Sequence, residues 1–222
     1  MELITGKIFP AILDPLPSIR AIIFDFGGVL LNIDPRRTRQ AFINLGLQRF
    51  ETGASVLRTS GIYEQLETGT ITPDGFRAKL RSFFDRPVTD GDLDQAWNAM
   101  LLDLPEPRIR LLEALRNRYR IFLLSNSNQI HFECYERRFR DEYGYDGFDA
   151  LFEKAWFSFR LGLKKPGTEI FRRVIDDAGL DPSSTLFIDD TLMHVEGARK
   201  AGLHAYHLDL EMGGEITHLF QP

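Results

Sequence analysis

Four short apolar runs, three of them leading into polar groups at or beside their ends, constrain this chain more than any other feature. Ala21 to Phe26, Ile121 to Ser125, Leu186 to Asp190 and Leu203 to Leu208 are rich in β-branched and aromatic residues and read as buried strands. Between the later runs the spacing turns helical. Thr168 to Ala178 sets Ile170, Phe171, Val174, Ile175 and Ala178 on one side, and Gly179 follows as a helix stop. Strands alternating with helices predict an α/β fold, a parallel sheet with right-handed crossovers and helices on both faces. Ligands of such open sheets sit beyond the carboxyl ends of the strands. Three of the runs end there in groups that carry chemistry: Asp25, then Ser125 with Asn126, then Asp189 with Asp190.

From Pro35 to Pro105 the rhythm changes, and helix signals replace strand-like runs. Thr72 followed by Pro73 reads as an N-cap and first helical position, ahead of an apolar stripe of Phe76, Leu80, Phe83 and Phe84. Thr89 caps a further helix that turns Leu93, Ala96, Trp97, Met100 and Leu101 to one side. The expected organisation is a core of residues 20–34 and 106–222, a small all-helical cap over 35–105 inserted after the first strand, and an N-terminal arm of 1–19 that holds three prolines. The 222 residues suffice for one large core with a small accessory domain. A net charge of -5 argues against nucleic-acid binding, which needs a basic surface. Arg137, Arg138 and Arg140 read as a solvated helix face. A lone cysteine, Cys134, excludes an internal disulfide and a cysteine-rich metal site. No apolar stretch approaches the roughly 20 residues of a membrane span, and no signal-peptide pattern opens the chain. The expected location is the cytoplasm, with no membrane contact.

The polar strand ends gain meaning as a set. Asp25 is followed by Gly27 and Gly28, which leave room for a phosphate to approach backbone amides. Ser125 and Asn126 put a hydroxyl and an amide where phosphoryl oxygens can be held. Lys165, fixed ahead of Pro166, can neutralise a phosphoryl group and a carboxylate beside it. Asp189 and Asp190 are adjacent carboxylates at a buried strand end, which repel unless a cation or a proton intervenes. Magnesium suits such a place, since it takes a few carboxylates together with waters and substrate oxygens. Taken singly, each has a plainer reading as a turn, a polar loop or a solvated charge; the ordered set does not.

In order and spacing these four segments resemble the four motifs of the haloacid dehalogenase superfamily, over nearly the whole chain from residue 20. The chain is similar to the branch containing bacterial sugar-phosphate phosphatases, such as the α-glucose-1-phosphatases, and the N-terminal phosphatase domain of soluble epoxide hydrolase. That resemblance implies a three-layer Rossmann-like core, a helical cap and Mg²⁺-dependent hydrolysis of a small phosphorylated substrate, with the protein a monomer or homodimer. It further implies that Asp25 is the nucleophile and a metal ligand, and that the Gly27 carbonyl and Asp190 bind the metal, with Asp189 beside them. Ser125 and Asn126 would bind phosphoryl oxygens, with Gly28 near them, and Lys165 would balance charge. The chain departs from most such phosphatases at Gly27, where a second aspartate usually supplies general acid-base help worth about 10²- to 10⁴-fold. A good leaving group, a proton from His194 or Asp34, or slow turnover would each accommodate the glycine. Two other readings stand beside the phosphatase: a 2-haloacid dehalogenase, which needs no metal, and a phospho-ligand-binding protein that has lost turnover. Arg36, Arg37, Tyr63 and Trp97 are the expected substrate-selecting residues of the cap.

Overall fold

The computed structural model describes residues 18–47 and 61–220. Nearly all of the expected N-terminal arm lies outside the described residues. The five strands β1 (Ala21–Phe24), β2 (Arg120–Ser125), β3 (Lys154–Phe157), β4 (Thr185–Asp189) and β5 (His204–His207) form one parallel sheet in the order β3-β2-β1-β4-β5. β1 pairs with β2 on one side and β4 on the other, so the chain order reverses beside it. That is the switch point at which open α/β sheets bind their ligands.

Two-residue alternation explains why the central strands read as continuous apolar runs. Ile22, Phe24, Ile121, Leu123, Leu186 and Ile188 face one layer, where they meet Ile109, Leu112, Phe132 and Phe139. Ala21, Ile23, Phe122, Leu124 and Phe187 face the other, against Ile170, Phe171, Val174 and Ala198. Both faces are covered, as a parallel sheet requires. Helix Thr168–Ala178 begins and ends as the sequence predicts, closed by Gly179 at φ 57°. β3 is an addition to the four expected strands.

The segment between β1 and β2 is helical. Pro35–Asn44, Ile62–Glu67, Pro73–Arg81 and Asp90–Asn98 are its described helices. Thr72 accepts from the Gly75 amide, and Thr89 makes a reciprocal capping box with Asp92, as their positions predict. Phe42, Leu66, Phe76, Leu80, Leu93 and Trp97 form a cluster separate from the two sheet layers. The chain leaves and re-enters the sheet region side by side: Asn32 donates to the Asp103 carbonyl, Leu102 to Asn32, and Asp34 to Met100. Leu101 and Leu104 therefore pack with the sheet, whereas Leu101 was expected on the stripe of the preceding helix. Arg138, expected to be solvated, is half-buried and holds the Leu101 and Leu102 carbonyls at 3.1 and 2.7 Å. Among the described residues no helix is long and apolar enough to cross a membrane.

Candidate active site

The carboxyl ends of β1, β2 and β4 open into a cavity of about 440 Å³, a size suited to a small molecule. Lys165 reaches this point from the loop ahead of helix Thr168–Ala178. Its side chain is fully buried, and its Nζ donates to Asp25 Oδ1 at 2.7 Å, Asp189 Oδ2 at 2.7 Å and the Leu124 carbonyl at 2.9 Å. Those bonds use all three ammonium protons. Burial alone would push Lys165 down, but Asp189 and Asp25 outweigh it and hold the ammonium above its ordinary value.

Asn126 keeps the lysine in place. Its side-chain amide donates to the Lys165 carbonyl and its Oδ1 accepts from the Lys165 amide, both at 2.9 Å. Asn126 thus spends its side-chain oxygen and one amide proton on the Lys165 loop, which leaves its second side-chain N–H and its main chain for the expected phosphoryl contact. Gly28 departs from expectation. Its N–H donates to the Leu31 carbonyl at 2.8 Å and it does not line the cavity. Its contribution is room: at φ 88°, a Cβ here would stand 2.4 Å from Asp190 Oδ2. Gly27 and Ser125 do line the cavity.

The three carboxylates differ in their surroundings. Asp189, fully buried, accepts from Lys165, from the Thr191 amide at 2.8 Å and from His194 Nδ1 at 3.0 Å. Burial opposes its charge, but Lys165 and His194 outweigh burial and hold it at about 2. Asp25 is pushed up to about 7, chiefly by burial, with Lys165 countering and Asp189 adding repulsion. Asp190 is raised by burial and by Asp189. One oxygen from each of Asp25, Asp189 and Asp190 can lie within 4.8 Å of the others. Three carboxylates around a single lysine leave an excess of negative charge, and two of them resist ionisation. A hard divalent cation with oxygen ligands relieves that excess, so the residues present fit magnesium.

Other expectations resolve less evenly. Tyr63 and His194 line the cavity, while Arg36, Arg37 and Trp97 are not in its wall. Asp34 caps helix Pro35–Asn44 and pairs with Arg36, which holds its carboxyl below the ordinary range. It is a poor proton donor. His194 braces Asp189 through Nδ1. Sequence reasoning missed Glu67, Lys164, His131 and Tyr135 in the cavity wall.

Residues 19–202 match the family of haloacid dehalogenase-like hydrolases. The chain belongs to that family. Among its relatives is a D-ribitol-5-phosphate phosphatase from Bacteroides thetaiotaomicron, 32% identical over 85% of this chain and 91% of that protein. A haloacid dehalogenase family enzyme from the same bacterium, solved with magnesium and inorganic phosphate, is 35% identical and superposes with a TM-score of 0.80 over 91% of this chain and all of that one. A L-2-haloacid dehalogenase from Xanthobacter autotrophicus matches at 19% identity and a TM-score of 0.57, covering 86% of this chain and 77% of that one. At that distance the likeness is one of fold.

Proposed function

We propose that this protein is a magnesium-dependent phosphatase of a small polyol or sugar phosphate, acting through an aspartyl-phosphate on Asp25. The observation that carries this reading is the convergence of Asp25, Lys165, Asp189 and Asp190 at the end of the sheet's switch point. The free Oδ2 of Asp25 attacks phosphorus while the phosphorus–ester oxygen bond breaks, and the departing oxygen keeps the electron pair and takes a proton from solvent water. Water then attacks phosphorus, the phosphorus–Asp25 bond breaks, and orthophosphate leaves with the carboxylate restored. Lys165 holds Asp25 Oδ1, which fixes the carboxylate's rotation and offsets the charge of two anions meeting. Ser125 binds a phosphoryl oxygen from the end of β2. Asp25, Asp190 and the Gly27 carbonyl would hold magnesium, which would screen the phosphoryl charge when bound. Asp189 orients Lys165 and stands beside the metal position, with an oxygen within 4.8 Å of those offered by Asp25 and Asp190.

The paired carboxylates speak against a metal-free dehalogenase, which would gain nothing from burying adjacent anions. D-Ribitol 5-phosphate names the substrate class we favour, and the polar lining of Ser127, Glu67 and His131 supports it. We place the enzyme in the cytoplasm, as a monomer or homodimer. Phosphate release from p-nitrophenyl phosphate, titrated with Mg²⁺ and with EDTA, tests the reading. Metal-dependent release abolished in Asp25→Asn is expected; chloride release from 2-chloropropionate without metal would overturn it.

A further inference from the structure

One wall of the cavity is made by the start of helix Gln129–Asp141 and the residue two before it. His131 and Tyr135 are four apart on the helix and so share one face, Ser127 lies just before the Asn128 N-cap, and all three line the cavity. None of them belongs to the machinery described above. Each is fixed by its neighbours while a polar atom is left over.

Ser127 is buried, and its main chain is held from both sides by Ser158, whose Oγ accepts from the Ser127 amide at 2.9 Å and donates to its carbonyl at 3.0 Å. The Ser127 hydroxyl itself is buried with no partner among the described residues. Buried hydroxyls without a partner are uncommon and call for a ligand. His131 is held by stacking on Trp97, with centroids 5.4 Å apart and planes at 9°, and by a 2.8 Å bond between Nδ1 and Asn98 Oδ1. Burial pushes the imidazole down to about 3, so it is neutral. With its one proton on Nδ1 facing Asn98, Nε2 keeps a lone pair and has no hydrogen bond among the described residues. Tyr135 packs its ring edge-on to Phe26 at 4.8 Å. Burial, with a contribution from Asp25, keeps its phenol protonated. The strip thus offers a hydroxyl, an acceptor and a donor in a row.

We infer that Ser127, His131 and Tyr135 form the leaving-group subsite, reading the hydroxyls of a polyol chain that extends from the bound phosphate. The inference rests on the phosphatase reading and gives that reading its specificity-determining residues. A structural role alone accounts for His131 Nδ1 and for the Ser127 main chain, but not for the vacant Nε2 or the unpartnered Oγ. A hydroxyl can donate to one and accept from the other, whereas an alkyl chain leaves both unsatisfied.

The test compares kcat/KM for D-ribitol 5-phosphate and for n-pentyl phosphate, which has the same chain length and no hydroxyls, in the full chain with Mg²⁺. His131→Phe keeps the ring stack and removes the acceptor. The ratio of polyol to pentyl kcat/KM is expected to fall about 10- to 100-fold in this variant and about 3- to 10-fold in Ser127→Ala, with partial recovery in His131→Gln. Should His131→Phe fail to fold, Ser127→Ala reads the same ratio with one oxygen removed. A ratio unchanged within about twofold in the variants, in an enzyme that still cleaves p-nitrophenyl phosphate, overturns this inference alone. Wild-type protein that releases phosphate from none of the three esters overturns the phosphatase reading as well.

Discussion

Replacing Lys165 with methionine removes the one cation shared by two buried carboxylates. The side chain is fully buried, and methionine approximates its volume, so the perturbation is mainly electrostatic. Losing one partner of a buried ion pair costs about 3–5 kcal/mol because the remaining charge is stranded. Asp25, already near 7 with the lysine present, escapes part of this by taking a proton; Asp189, held at about 2, cannot do so until its value rises. For a domain of this size the loss corresponds to a fall of about 6–20 °C in Tm at pH 8. The sign of the pH dependence discriminates further. In the wild type the depressed Asp189 contributes stability above its ordinary value of 3.8, lost as pH falls toward 2, and the raised Lys165 contributes stability below its ordinary 10.5, lost at higher pH. The variant lacks both contributions and buries unpaired carboxylates whose values rise. Lowering the pH from 8 to 5 must then narrow its deficit, since the folded state takes up the protons. Thermal unfolding by circular dichroism, in EDTA, measures both effects. A variant that melts within 2 °C of the wild type at pH 8, or a gap that widens toward pH 5, would refute the account of Lys165 as the charge balance of this site.

Gly28→Ala should raise the Mg²⁺ concentration for half-maximal phosphate release about 10- to 100-fold, because the new methyl would meet Asp190 Oδ2 at 2.4 Å and move it; an unaltered magnesium titration would show that Asp190 is not a ligand. His131 should make the fold acid-sensitive. Its folded value near 3 lies below the ordinary 6.5, so below 6.5 the unfolded chain binds a proton that the folded one does not, and stability falls by about 1.4 kcal/mol per pH unit. Urea unfolding at pH 7 and pH 5 should show a loss about 2 kcal/mol smaller in His131→Phe than in the wild type; equal losses would contradict it. The glycine at 27 predicts strong dependence on the leaving group, with kcat/KM for p-nitrophenyl phosphate at least about 10²-fold above that for n-pentyl phosphate. Comparable values would mean that an acid assists departure.

Most of the phosphoryl end was legible because Asp25, Ser125, Asp189 and Asp190 stand at strand ends whose apolar runs identify them, and the sheet brings those ends together by construction. Less regular pieces gave no such signal. β3 is four residues, Lys154–Phe157, starting on an exposed lysine at the sheet edge, too short to show a period. Asn126 could be placed beside the phosphate from sequence, but whether its side chain or its main chain faces the ligand depends on the Lys165 loop, some 39 residues away. His194, read as a possible proton donor, proves to brace Asp189, a contact that depends on how the following helix starts. The spacing of His131 and Tyr135 was available as an i, i+4 pair, just after Ser127. It was hidden because Phe132, Tyr135 and Phe139 on the same helix pack into the core, so that its polar residues looked like a solvated face.

The glycine in place of the second aspartate becomes intelligible from its neighbour. A Cβ at Gly27 would meet Ile33 Cδ1 at 3.4 Å and Cγ2 at 3.7 Å, ordinary van der Waals contact, so the glycine stands beside an apolar side chain of the cavity wall. Two nearby groups of the wall are poor substitutes for the absent acid, since His131 is held neutral and Tyr135 is held protonated by burial. Unbalanced charge is concentrated on Asp25, Lys165, Asp189 and Asp190, the Glu67–Lys164 ion pair in the cavity wall closes on itself, and Ser127, His131 and Tyr135 offer neutral hydrogen-bonding groups. Such a division lets electrostatics act on phosphorus while the far wall sorts substrates by their hydroxyls, and it keeps unpaired charge away from the leaving group. Specificity and chemistry then separate along the substrate's length. Changes on the Ser127–Tyr135 strip should redirect the enzyme among phosphate esters more readily than they disable it.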